Sequence, residues 1–100
     1  MENLIQYVNP CNKAFHVYSQ DNNIDVLIYN LRCIELDAYK KFDFDIMHTS
    51  LWFKFGKDDT LATDIRGIER SLRNSNREFM IEQFESVTSL TGTELQVYYS

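Results

Sequence analysis

Asp43 and Asp45 lie two residues apart in the alternating run 42–46. Paired carboxylates can do acid–base work, and on a strand they also discourage edge-to-edge pairing. Arg66, Arg70, Arg73 and Arg77 recur every three or four residues, and through Arg73 they would occupy one exposed helix face. Such a row could clamp phosphates or an acidic partner patch, or simply be a solvated face with pairs such as Glu69–Arg73. Residues 66–77 hold four Arg and one Glu, net +3 against a total of −5, which leaves −8 for the rest of the chain.

Cys33, His48 and Glu82 are the candidates for a nucleophile and its base in a small enzyme with a pocket between helix and sheet. No local signature joins them. The sequence has no GxSxG, no phosphate-cradling glycine loop and no dinucleotide fingerprint. A structural metal needs about four ligands, usually two of them close in sequence. Cys11, His16, Cys33 and His48 offer no such spacing, so neither metal nor cofactor is expected.

The other notable set is aromatic. Read as strands, 14–19, 51–55 and 94–99 place His16, Tyr18, Trp52 and Tyr98 opposite inward-pointing aliphatic or Phe side chains. If a helix covers one sheet face, these four share the open one. Exposed Trp and Tyr are frequent anchors of protein interfaces.

The element that would organise this arrangement is a helix over 60–74. Leu61, Ile65, Ile68 and Leu72 fall at i, i+4, i+7 and i+11, a single apolar stripe. Asp59 or Thr60 would cap its N-terminus. Gly67 lies inside it, costs about 1 kcal/mol relative to Ala, and could mark a close approach. Almost everything else reads as strand. The expected strands are 3–8, 14–19 with a polar hairpin turn at 20–23, 24–36 as a central strand, 42–46, 51–55, 77–85 and 94–99. Asn9-Pro10 reads as a turn. The fold class is then α+β: one largely antiparallel sheet of about five to seven strands with one amphipathic helix packed on one face.

At 100 residues the chain reads as a single domain spanning 1–100. Its charge of −5 disfavours binding of nucleic acid by the whole surface and suits a partner with a basic one. No apolar run approaches the roughly 20 residues that span a bilayer, and no basic, apolar leader pattern opens the sequence. Two cysteines without a CxxC suggest free thiols and the cytoplasm.

In size, acidity and a late helix followed by terminal strands, the pattern resembles small immunity proteins of bacterial toxin systems and short acidic inhibitors carried by phages. No residue roles follow from that likeness. The expected function is an acidic protein-binding module that blocks a toxin, nuclease or other defence effector through its open sheet face. Trp52, Tyr98, Tyr18, His16, Asp43 and Asp45 would form the interface. A strand edge or the aromatic face could also pair two copies. An enzyme, and an anion or RNA binder using Arg66, Arg70, Arg73 and Arg77, are the alternatives.

Overall fold

The computed structural model describes residues 2–55, 61–89 and 95–100. Its element order is β1 (Glu2–Asn3), a single 3-10 turn (Ile5–Tyr7), α1 (Val8–Asp21), α2 (Ile24–Phe42), β2 (Leu51–Phe55), β3 (Leu61–Asp64), α3 (Ile65–Arg73), α4 (Arg77–Ser89) and β4 (Gln96–Tyr99). The class is α+β, but the expected balance is overturned. Among the described residues there are four α-helices, not one. The sheet is three antiparallel strands, β4-β2-β3, extended at one edge by the two-residue β1, not five to seven strands.

Each misread segment has a physical reason. In α1, Cys11, Ala14, Phe15 and Tyr18 are buried at i, i+3, i+4 and i+7, a helical stripe that also passes for short alternation. Pro10 sits in the first turn, where its missing N–H costs nothing, so it opens the helix rather than turning the chain. In place of a hairpin at 20–23, two caps join the helices. Asn22 ends α1 in the left-handed region at φ 56°, and the side chain of Asn23 accepts the Val26 N–H to start α2.

The segment 24–36, expected as a central strand without caps, is therefore most of a 19-residue helix. It buries Leu27, Leu31, Glu35, Ala38 and Tyr39. Asp43 closes α2 in the left-handed region at φ 55°, which stops 42–46 from extending. The segment 77–85 is helical too: Met80 and Phe84 are buried four residues apart.

The expected helix over 60–74 begins later. Leu61–Asp64 forms β3, and α3 starts at Ile65 with Asp64 as its cap, accepting the Gly67 N–H at 2.8 Å. The expected caps Asp59 and Thr60 lie outside the described residues. Ile65, Ile68 and Leu72 are buried as the stripe requires, whereas Leu61 belongs to β3. Gly67 does mark a close approach, since a Cβ there would collide with the Thr63 hydroxyl.

β2 and β4 match their expected periodicity. Leu51, Phe53, Phe55, Val97 and Tyr99 are all buried on one side. Against that side lie aromatic rings from the helices. Phe15 approaches Phe53 at 5.7 Å and stacks on Phe84 at 4.3 Å with planes 6° apart. Tyr39 meets Tyr99 at 5.3 Å. Around this core α1 packs on α2 and α4, and α3 likewise packs on both. All the described helices thus contribute to one core on one side of the sheet. None of them is long and apolar enough to cross a membrane.

Candidate functional site

The other side of the sheet carries no described helix. Trp52 in β2 lies directly opposite Tyr98 in β4 and Asp64 in β3, and Tyr98 lies opposite Asn3 in β1. Residues opposite one another project to the same face, so Asn3, Tyr98, Trp52 and Asp64 form one row across the sheet. A second row runs Gln96, Lys54, Ala62. Trp52 and Tyr98 are half-buried, while Asn3, Gln96 and Ala62 are exposed. A shallow hollow of about 160 Å³ lies between Asn3, Lys54, Gln96 and Tyr98. The two largest rings of this face are thus neighbours, backed on the other side of the sheet by the buried side chains of Leu51, Phe53, Phe55, Val97 and Tyr99.

The rest of the expected aromatic set is elsewhere, and its placement is corrected. Tyr18 is 1% exposed and meets Phe84 edge-on at 6.2 Å, because it belongs to the buried stripe of α1. His16 is exposed, but on α1 rather than the sheet, with its ring Nε2 3.4 Å from Gln20 Nε2. Asp43 and Asp45 are not neighbours on a strand: Asp43 caps α2, and Asp45 organises the following turn. Asp45 Oδ1 accepts the Met47 N–H at 3.0 Å, and Oδ2 lies 2.7 Å from His48 Nδ1. The His48 contact, then the Met47 N–H, holds the Asp45 carboxyl below its usual range.

Arg66, Arg70 and Arg73 keep a row along the exposed face of α3, and Arg77 leaves it. Arg66 and Arg70 are exposed on α3. Arg73 donates to Asp25 Oδ1 at 2.6 Å and to Glu69 Oε2 at 3.1 Å, which ties α3 to the start of α2. Arg77 is half-buried at the head of α4, beyond the turn that ends α3. The enzyme candidates are also separated. Cys33 lines a groove between α1 and α2 with Pro10, Val17 and Ile34, Glu82 is exposed on α4, and His48 stands on the 45–49 turn.

His48 does border a second feature, a cleft of about 530 Å³ between α2, the turn 45–50 and the start of α3. Arg32, Glu35, Leu36 and Arg66 line it as well. Glu35 is the residue that sequence reasoning missed. Its Oε1 accepts from Arg32 at 2.9 Å, and its Oε2 accepts the Leu51 backbone N–H at 2.9 Å. Its backbone carbonyl accepts the Tyr99 hydroxyl at 3.1 Å. The only signal was its place at helical spacing after Leu27 and Leu31, visible once α2 is known to be a helix. Among the described residues, no group of three or more His, Cys, Asp or Glu is placed to hold a metal ion.

Set against known proteins, the chain matches no family model, no curated sequence and no solved structure.

Proposed function

We propose that this chain is a small acidic protein-binding module that docks a partner with a basic surface through the helix-free sheet face. Blocking that partner, as an inhibitor or immunity-type protein would, is the role that fits best. The observation that carries this reading is the direct opposition of Trp52 and Tyr98 across β2 and β4. Two half-exposed rings on a stiff strand pair give a partner large contact area at little cost in ordering. Half-exposure leaves surface to bury, and polar neighbours such as Gln96 and Asn3 supply a rim. The net charge of −5 would speed encounter with a basic partner and repel nucleic acid. Two free thiols, Cys11 and Cys33, accord with action in the cytoplasm.

The test uses the full chain as bait in its native host. The unaltered protein should retain a partner that a Trp52→Ala, Tyr98→Ala double variant with the same circular dichroism releases. Equal retention by both would overturn the reading.

The cleft supports a second reading, a small-ligand site. Its volume of about 530 Å³ falls in the range of such sites, and Arg66 at its edge has no ion pair among the described residues. A rise in melting temperature with a small anionic ligand, lost in Arg66→Ala, would favour it. No shift with any such ligand would remove it.

A further inference from the structure

Helix α2 is apolar on two sides. Leu27, Leu31 and Ala38 face the core. On the outward side Val26, Tyr29, Cys33 and Leu36 follow the 3-4-3 spacing of a heptad seam. Tyr29 is 68% exposed, Leu36 47% and Val26 38%, and Cys33 is exposed as well. This second stripe faces away from the core, with Cys33 at the edge of the α1–α2 groove and Leu36 at the edge of the cleft beside α3. Cys33 follows Tyr29 by one helical turn, so the two are neighbours along the seam.

We propose that a second copy of this chain docks along this seam, with α2 beside α2 in parallel about a two-fold axis. The residue types fit that geometry. With Val26 and Cys33 at the a positions and Tyr29 and Leu36 at d, two of the four positions, Val26 at a and Leu36 at d, carry the residue types preferred in parallel two-stranded pairs.

The flanking charges fit it too. In a parallel pair Arg32, at a g position, faces the second copy's Asp37 at the following e position, and the symmetry makes this contact twice. Arg32 donates one N–H group to Glu35 at 2.9 Å, and Asp37 accepts the Tyr7 hydroxyl through one oxygen at 2.8 Å. The guanidinium keeps further donors and the carboxylate a second oxygen for the cross pair. An antiparallel pair would instead set the two Arg32 side chains against each other. Lys40, the next seam position, ends the apolar run. From Val26 to Leu36 the seam is about 15 Å long, so the interface is small and the dimer reversible.

This surface is separate from the sheet face, and the two fail independently. Sedimentation equilibrium of the full chain should show its mass rising with concentration from 11.9 kDa toward twice that value. Tyr29→Glu should weaken association at least tenfold with circular dichroism unchanged, while Trp52→Ala associates as the unaltered chain does. Orientation is read from the native thiol. With copper–phenanthroline in air, two Cys33 thiols lose two protons and two electrons to dioxygen and form one S–S bond across the axis. Covalent dimer should form in the unaltered chain and disappear in Cys33→Ser. A monomer at every concentration up to millimolar, or a dimer that Tyr29→Glu leaves intact, would overturn the proposal. A dimer whose Cys33 thiols do not cross-link would overturn its parallel form.

Discussion

The carboxylate of Glu35, in the middle of α2, accepts the backbone N–H of Leu51 at the first position of β2, at 2.9 Å. A helix side chain thus completes the hydrogen bonding of a strand end inside the core. With the carboxylate removed, the Leu51 N–H is left buried without an acceptor and Arg32 without its partner. Glu35→Ala should destabilise the fold by about 2–4 kcal/mol, read from the urea midpoint. Glu35→Gln keeps one acceptor oxygen and should cost less. If Glu35→Ala unfolds at the same urea concentration as the unaltered chain, the link between α2 and the sheet is not as described.

Gly67 gives a prediction of unusual sign. Replacing a helical Gly by Ala ordinarily gains about 1 kcal/mol. Here the added Cβ would meet the Thr63 hydroxyl, just before the Asp64 cap. Gly67→Ala alone should therefore give no gain or a loss in thermal stability. In a Thr63→Ala background, the same change should recover most of the gain.

The two cysteines should differ sharply. Cys11 is fully buried, and burial pushes its thiol pKa well above the usual value, whereas Cys33 is exposed. A disulfide-exchange reagent should modify Cys33 in the folded protein and reach Cys11 only as fast as the chain unfolds. Cys33→Ser should abolish the fast phase alone.

The 45–49 turn should respond to acid. Asp45 has its folded pKa below its unfolded value of 3.8, chiefly through His48. Its contribution is therefore fully present above that unfolded value and is lost as pH falls through the lower, folded pKa. The Met47 amide resonance should titrate with a midpoint under 3.8 and hold steady between pH 5 and 8 as far as Asp45 governs it. Asp45→Asn should erase that low-pH step.

What the sequence disclosed, and what it hid, follows from how periodicity works over short spans. β2 and β4 were legible because Leu51, Phe53 and Phe55, and Val97 and Tyr99, alternate strictly with polar or amphipathic neighbours. Ile65, Ile68 and Leu72 were legible as a helix, although its start was placed too early because Leu61 extends the same spacing into a strand. The helix α1 was hidden because Phe15, Val17 and their neighbours fit a two-residue repeat over so short a stretch. In α2 a buried glutamate interrupts one apolar stripe, and the outward stripe adds a second, which together blur the helical signal. Trp52 and Tyr98 could be found because strand parity is reliable where the strands are. Tyr18, His16, Asp43 and Asp45 were placed with them only by extending strand parity into helices and turns.

Trp52 and Tyr98 are proposed to anchor a protein partner together. The most direct test of this anchoring is the dissociation constant of the captured partner for the unaltered chain and for Trp52→Ala, with melting temperature as a control on folding. Trp52→Ala should bind roughly thirtyfold more weakly, the scale of a hot-spot residue, with little change in melting temperature. An unchanged dissociation constant in a folded Trp52→Ala protein would contradict it.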